Sequence, residues 1–453
     1  MTAPAEYSEL TTIVEGRTKI LVPSMSLQSS VATKREPVFF NPAAELNRDI
    51  SIVAYDSFLT NSSFGCNGKM HSSKNNRDYV VMADSLCGTG ARGLRVAVES
   101  SEVDQVYFND ANPLAIDVAR KSSAVNHVED KCHFSVSKAC RFLLKGTNER
   151  HSSSPDTFGE EKIAGPGRKG ERFTIVDLDP FGSPAAYVDC VIRSAEDGGL
   201  VSITATDTAV LCGKYPDVCL RKYYGLPLNN SYSNELALRL LLSLVALTSS
   251  RLGIYIYPLF AHTNLHYLRV YVKVIESSKL ANSVFGNIGY VQHCFRCGNR
   301  IVSDDQSQAE KCTFCSTAFK TAGWLWTGRM YDKDFIHEMM AKTLQRQGSN
   351  GSYPLNCSSE EDIKPSTGAS KIQNRKMKNL QRLFSTCIRE HDDIPYYFTS
   401  DEIASRLKIG PPSLATIVES LSKAGFRTSQ TGLNPTAFKT AANINEITSL
   451  FRL

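Results

Sequence analysis

The sequence predicts an α/β protein built on a Rossmann-like open sheet of six parallel strands and an antiparallel seventh. Three observations carry this. Seven strand-like apolar runs follow one another between residues 79 and 275. Helical stretches separate the first six, as the crossover units of a parallel sheet require. Only "HTNLH" joins the sixth run to the seventh. That is too short for a crossover, so the seventh strand must turn back antiparallel.

Each element follows in order. A helix is expected over 41–59, where Asn41 caps, Pro42 takes the first turn, and Leu46, Ile50, Val53 and Phe58 form the apolar stripe. Arg48 sits opposite that stripe, so its charge should be free to face a site. The strands read "YVVMAD" (from 79), "QVYFND" (105), "HFSVS" (133), "FTIVDLD" (173), "GLVSITATD" (199), "GIYIYPLFA" (253) and "YLRVYVKVI" (267). Between the fifth and sixth, "LALRLLLSLVAL" (236–247) reads as a buried helix started by Ser233 or Asn234 and stopped near Gly253. It contains Arg239 and is too short to span a membrane.

The expected domains are a catalytic domain over 1–277, a zinc-binding region over 278–345, a linker over 346–370 and a C-terminal domain over 371–453. Residues 147–171, polar and rich in Ser, Gly and Pro, read as a flexible insertion. The C-terminal domain opens on "KIQNRKMKNLQRLF", a helix carrying Lys371, Arg375, Lys376, Lys378 and Arg382. "TSDEIASRLKIGPPSLATIVESLSKAGF" then gives two capped helices around Gly-Pro-Pro, a mostly helical, winged-helix-like unit.

The bulk numbers bound the function. Apolar content of 42% and charged content of 21% suit a globular chain rather than a disordered one. A net charge of +5 means that any nucleic acid must be held by local basic patches. The N-terminus lacks a signal-peptide layout, and the thirteen cysteines form no disulfide framework. They read as reduced thiols of an intracellular protein, nuclear or cytoplasmic, with no membrane partner.

The candidate site lies at the strand ends, where open parallel sheets place their chemistry. The first strand ends at Asp84 and enters "DSLCGTGARG", in which Gly88, Gly90 and Gly93 fit G-x-G-x-x-G. Asp110, 26 residues after Asp84, ends the second strand. Glycines admit a cofactor to the backbone, and an acid at that second position accepts hydrogen bonds from ribose hydroxyls. The pattern points to an adenosine-containing cofactor without separating NAD from S-adenosyl-L-methionine. A glycine turn serving packing alone is the bland reading.

The fourth strand runs into "TIVDLDPFGSP" and separates the two cofactors. A dehydrogenase has no use for an Asp-Pro-aromatic corner, whereas an enzyme methylating a planar exocyclic amine does. That amine is a poor nucleophile because its lone pair is delocalised into the ring. Asp179 and the carbonyl of Pro180 can accept its two N–H bonds, and the carboxylate can take a proton as the methyl arrives. Phe181 can stack on a base turned out of its helix. Methylation is favoured over hydride transfer.

Further on, Cys294, Cys297, Cys312 and Cys315 form two C-x2-C knuckles separated by 14 residues. Four thiolates make a closed, structural zinc site. His293, beside the first knuckle, is read as solvent-facing rather than as a ligand.

Over nearly its whole length the chain resembles the tRNA (guanine(26)-N2)-dimethyltransferases. The stretches that carry the resemblance are "VEGRTKILVP", "PVFFNPAAELNRDIS", "GTGARGLR", "FNDANP", "VDLDPFGSPAAYVD", "TATDTAVLCGKYPDVCLRKYYGLPL" and "TGLNPTAFKT". The resemblance implies S-adenosyl-L-methionine as cofactor and tRNA as partner, with one or two methyls placed on the 2-amino group of a guanosine. It also implies that Arg48 and Arg92 contact the cofactor, that Asp110 binds its ribose, and that Asp179 is the catalytic acid. Asp84, Gly88 and Gly90 complete the expected cofactor site, and the chain is expected to act as a monomer. Where relatives often carry an acid after the third strand, this chain has Ser137-Lys138-Ala139, which leaves adenine recognition to the backbone at Ala139. Two rivals stay open at this point: a zinc-containing NAD-dependent dehydrogenase, and a non-catalytic tRNA-binding chaperone on the same fold.

Overall fold

A computed structural model describes residues 9–27, 38–60, 79–148, 172–264, 266–304, 309–349 and 367–451. The expected insertion at 147–171 and the expected linker at 346–370 lie outside these residues, apart from helix ends. Two compact units share the chain. One comprises Met1–Thr206, Thr248–Tyr257 and Tyr271–Ala281; the other comprises Asp207–Leu247, Pro258–Val270 and Asn282–Leu453.

The chain opens on a hairpin, β1 (Leu10–Glu15) and β2 (Thr18–Pro23), turning through Gly16 at φ +59°. A glycine is needed there because an L side chain would be strained in a left-handed turn. Next comes α1 (Glu45–Thr60), preceded by a 3-10 turn at Pro42–Ala44. Asn41 caps that turn by accepting from the Ala43 N–H, as the sequence predicts.

Five strands alternate with four helices after that. These are β3 (Val81–Asp84), α2 (Ala91–Glu99), β4 (Gln105–Asp110), α3 (Pro113–Val125), β5 (Cys132–Val136), α4 (Ala139–Asn148), β6 (Phe173–Leu178), α5 (Val188–Ser194) and β7 (Ala195–Ala205). Three further helices follow, α6 (Thr208–Leu211), α7 (Pro216–Tyr223) and α8 (Ser233–Ser250). The hairpin strands β8 (Ile254–Asn264) and β9 (Tyr267–Glu276) complete the set.

All seven expected strands are present, in the order β5-β4-β3-β6-β7-β9-β8. The pairings among β3, β4, β5, β6 and β7 are parallel. The short turn forces β9 to run antiparallel beside β7. Register matters for the site: Asp84 lies opposite Asp177, and Asp177 opposite Ser202, so three polar residues line up across the strand ends.

In the second unit, α9 (Ser278–Asn282) precedes an antiparallel sheet of β10 (Ile288–His293), β11 (Arg300–Ser303) and β12 (Lys320–Trp326), ordered β11-β10-β12. Helices α10 (Lys333–Ser349) and α11 (Thr367–Arg389) follow. On α11 the side chains of Met377, Leu380, Phe384 and Cys387 are buried, while Arg375, Lys378 and Arg382 lie exposed on the other face.

The chain ends as a winged helix: β13 (Phe398–Thr399), α12 (Ser400–Leu407), α13 (Leu414–Lys423), β14 (Thr428–Gln430), β15 (Ala437–Thr440) and α14 (Ile444–Phe451). Thr399 and Ser413 cap its first two helices through the N–H groups of Glu402 and Thr416. Its core gathers Phe398, Ile403, Ile417, Leu421, Phe438, Ile444 and Ile447.

A fully buried ionic network ties segments of this unit together. Lys439 on β15 donates to Glu235 on α8 (2.8 Å) and lies 3.0 Å from Glu390. Arg239 donates to Glu235 (2.7 Å), to the carbonyls of Trp326 (2.8 Å) and Gly328 (2.9 Å), and to that of Asp392 (2.7 Å).

One expectation about cysteines is corrected. Cys140 and Cys190 form a disulfide between α4 and α5. The two helices pack side by side and bring the Cα atoms to 5.4 Å, within bridging distance.

Candidate active site

The corner after β6 is held from both sides. Gly182, at φ +83°, donates to the Thr206 hydroxyl (2.6 Å) and accepts from the Thr206 N–H (2.9 Å). Asp179 precedes it, one-third exposed, and its carboxylate is bound by the Arg92 guanidinium. Pro180 is buried, whereas the Phe181 ring stands 79% exposed. That ring meets Phe39 edge to face, with centroids 5.4 Å apart. Phe39 lies in the quoted stretch "PVFFNP", but nothing in its spacing marks it as part of the site.

Arg92 organises the site. It lies 3.0 Å from the Asp177 carboxylate, binds Asp179, and donates to Asn47 (3.1 Å) and to Ser51. Asp177 is fully buried, and its Oδ1 accepts from Tyr55 (2.8 Å) and Ser202 (2.7 Å). Sequence reasoning passed over Asp177, Tyr55 and Ser202. The run "VDLD" places Asp177 two residues before Asp179, so it was readable as a polar residue inside a buried strand. One carboxylate at the strand end thus braces the arginine that holds the other.

The glycine loop divides its labour. A side chain on Gly93 would collide with the Phe108 ring, and one on Gly90 with Ala119. Those two glycines serve packing. Gly88, at φ +53°, has nothing closer than the Phe39 carbonyl at 3.7 Å from where a Cβ would sit. The space above it is therefore open to a ligand. The Gly88 N–H donates to Asp110 Oδ2 (3.0 Å), and Asn112 donates to Oδ1 (2.9 Å), which fixes the carboxylate at the rim of that space.

Asn109 staples the loops after β3 and β5 by donating to the carbonyls of Ser85 and Ser137, both at 3.0 Å. Ala139 opens α4, so its N–H is among the helix donors without an intrahelical acceptor. An open glycine, an oriented acid and a free helix start suit an adenosine-bearing cofactor.

Two expected cofactor contacts are engaged elsewhere. Arg48 is buried and grips Glu15 at the tip of the hairpin through Nε (2.7 Å) and Nη2 (2.5 Å). The expectation that its charge is free is thereby corrected: Glu15 of the hairpin takes Arg48 while Arg92 of α2 takes Asn47 and Ser51, so the polar side of α1 is as buried as the apolar stripe. Asp84 is also buried, and its Oδ2 accepts from the Gly93 N–H (3.1 Å). Burial, and after it the neighbouring Asp177, push its carboxyl up to about 8.

The four cysteines come together as expected, with their sulfurs all within 4.8 Å of one another. Each knuckle closes with a short hydrogen bond, Gly298 N–H to Cys294 O (2.7 Å) and Ser316 N–H to Cys312 O (2.8 Å). Four sulfurs at this spacing fit a tetrahedral zinc ion and leave it no open position. His293 is corrected. It is buried, packs edge-on against Phe295 (4.5 Å) and Tyr232 (5.5 Å), and burial lowers it to about 3, so it is neutral.

The first knuckle rests on the winged helix. Arg406 of α12 donates to the Arg296 carbonyl (3.2 Å). Arg300 pairs with Glu402 (2.5 Å) and lies over the Phe398 and Tyr232 rings at 3.9 and 4.3 Å.

A family model described as "N2,N2-dimethylguanosine tRNA methyltransferase" matches residues 16–356 and 358–452. A tRNA (guanine(26)-N(2))-dimethyltransferase of Methanothermobacter thermautotrophicus is 31% identical over 437 residues, 96% of this chain and 97% of that protein. A tRNA (guanine(26)-N(2)/guanine(27)-N(2))-dimethyltransferase of Aquifex aeolicus is 31% identical over 337 residues, 74% of this chain and 76% of its own. The structure of Trm1 from Pyrococcus horikoshii with S-adenosyl-L-methionine shares the fold, with a TM-score of 0.71 at 24% identity, covering 97% of this chain and 99% of that one. No helix among the described residues is long and apolar enough to cross a membrane.

Proposed function

The chain belongs to the N2,N2-dimethylguanosine tRNA methyltransferase family, and from that premise we propose that its Asp179 corner methylates the 2-amino group of guanosine 26 in tRNA. It is an S-adenosyl-L-methionine-dependent tRNA methyltransferase, and the dehydrogenase alternative falls with the family. The carrying observation is the corner itself: an arginine-held carboxylate, a proline carbonyl and a facing pair of phenylalanines at one strand end.

Bound S-adenosyl-L-methionine supplies an electrophilic methyl group. Gly88, Asp110 and the Ala139 backbone are the residues that would hold it, with Gly90 shaping the turn and Asp84, Arg48 and Arg92 bracing the loops around them. Asp110 takes the ribose hydroxyls, since its two N–H partners fix its orientation and leave lone pairs over. Phe181 and Phe39 take the flipped guanine, whose unpaired face needs an apolar partner once it leaves its helix.

Asp179 and the Pro180 carbonyl accept the two N–H bonds of the amine and turn its nitrogen lone pair toward the methyl. Asp179 then accepts the proton that the amine releases. Arg92 keeps the carboxylate in place before the base arrives, which lowers the reorganisation needed at the moment of transfer. A second methyl requires the same acceptor after the monomethylated amine rotates its remaining N–H toward Asp179.

Zinc at the four cysteines is structural in this reading. The basic face of α11, with Arg375, Lys378 and Arg382, takes tRNA phosphates. The protein acts as a monomer inside the cell, in the nucleus or the cytoplasm, where its substrate is.

The test is Asp179→Asn, assayed by nucleoside mass spectrometry of treated tRNA and by titration with the cofactor. Methyl transfer should fall by at least about 10²-fold, as for loss of a general base. Affinity for the cofactor should change little. Near-parental turnover would remove Asp179 from the chemistry.

A further inference from the structure

The second unit carries an aromatic face that neither the cofactor site nor the zinc site uses. On α7, Leu220, Arg221 and the following Tyr224 share one side by helical spacing, and all three are exposed. Tyr224 ends the helix at φ +55° with its ring 63% exposed. Glycine or asparagine fits that left-handed position without strain, whereas a bulky aromatic residue is an outlier there. Packing does not explain the choice, because the ring stands largely in solvent.

The adjoining backbone extends the face. Leu226 is bridged to Gly323, whose N–H donates to the Leu226 carbonyl at 3.0 Å. A side chain on Gly225 would strike the Trp324 backbone, so the two segments touch. Trp324 is 39% exposed, and its indole N–H is tied to the Tyr290 hydroxyl, which locks the plane of the ring. Leu226 is exposed beside it.

We propose that Leu220, Arg221, Tyr224, Leu226 and Trp324 form a stacking platform for unpaired nucleotides of the RNA substrate. The proposal rests on the tRNA methyltransferase reading and adds to it a site outside the catalytic corner. Two observations select RNA over a protein partner. First, Tyr224 follows Arg221 by three residues, and Lys214 just upstream lies 5.7 Å from the Tyr215 ring, a cation-and-aromatic interleaving that suits bases and phosphates. Second, the one acid on that side of α7, Asp217, lies in its first turn, leaving the Tyr224 end basic.

The two tryptophans make the test direct. Trp326 is buried and donates to the Arg329 carbonyl (2.9 Å), so only Trp324 can be stacked upon. Short oligouridylate, whose bases do not stack on one another, and tRNA should both quench the emission of the full-length protein saturably. Trp324→Phe, which keeps only the Trp326 signal, should abolish the change.

Tyr224→Asn suits the backbone and removes the ring. It should weaken tRNA binding about tenfold, within the range for one stacked base, and leave cofactor affinity unchanged. Tyr224→Phe should bind as the parent does.

Emission unmoved by either RNA, or parental tRNA affinity in both Tyr224→Asn and Trp324→Phe, overturns the platform. So does a change in sedimentation mass on Tyr224→Asn, which would mark the face as a contact between copies. If the parent itself neither binds nor methylates tRNA, the catalytic reading has failed. If it does both while the variants match it, only the platform has.

Discussion

Replacing Asp84 by asparagine should relieve a loss of stability that the parent suffers as pH rises. The carboxyl is 2% exposed and lies opposite Asp177 across paired strands. Burial first, then Asp177, raise it from its ordinary 3.8 to about 8, although Arg92 and the Gly93 N–H pull the other way. Between those two values the folded protein keeps a proton that the unfolded chain has released. Unfolding in that window releases this proton, so stability falls with rising pH, by up to about 1.4 kcal/mol per pH unit. The contribution is intact below pH 4 and lost above pH 8.

Asparagine mimics the neutral acid, keeps an oxygen for the Gly93 N–H and cannot ionise. Urea denaturation of parent and variant at intervals from pH 5 to 8 isolates this group, because every other titration is common to both. The stability difference should grow in the variant's favour across that window, by on the order of 1 kcal/mol per unit. Two curves that stay parallel from pH 5 to 8 would refute the assignment of a held proton to Asp84.

Three further outcomes follow from the geometry. Asp110→Ala should weaken cofactor binding by roughly 1.5–3 kcal/mol, the worth of hydrogen bonds to a charged group, and calorimetry showing unchanged affinity would take Asp110 out of the cofactor site. Lys439→Met takes the cation from buried Glu390 and leaves Glu235 with Arg239 alone, and should cost about 3–5 kcal/mol by urea denaturation; a cost under about 1 kcal/mol would mean the network is not load-sharing. Cys312→Ser should abolish stoichiometric zinc and, because such sites supply on the order of 10 kcal/mol of local folding energy in small peptides, should open β10–β12 to hydrogen exchange. Cofactor titration of the same variant should be unaltered, and protection persisting in β10–β12 without metal would contradict the structural role of zinc.

The parts of the molecule that were legible in sequence are those set by local pattern. Apolar runs such as "FTIVDLD" can only be central strands, and a five-residue link can only be a hairpin, so the sheet and its reversal were readable. The four cysteines and the Asp-Pro-Phe-Gly corner were readable for the same reason, since each is a short motif with one economical geometry. What could not be read depends on partners distant in the chain. Arg48 lies on the polar side of its helix by periodicity, yet Glu15, 33 residues earlier, buries it. The Gly16 turn between "LTTIVE" and "TKILVP" was the available signal for that hairpin. His293 looked exposed beside a metal knuckle, but Tyr232, just before α8, packs against it. Cys140 and Cys190 are 50 residues apart, and only the packing of two helices makes them a pair. Asp177 could be placed in a strand but not recognised as the brace for Arg92, because that role exists only across the sheet.

The buried network around Arg239 has a consequence for how the chain is made. Glu235 and Lys439, 204 residues apart in sequence, meet where water is absent. At about 5–20 residues per second of synthesis, α8 waits roughly 10–40 s for that partner to emerge. During that interval Arg239 gains the Trp326, Gly328 and Asp392 carbonyls in turn, but Glu235 has Arg239 as its one cation and its remaining acceptor capacity must stay wet. Burial of α8 is therefore a late event, timed by the arrival of the last strands. A premature stop anywhere before residue 439 would leave the helix as an unfinished surface for chaperones and proteases, however complete the strands of the catalytic corner already were.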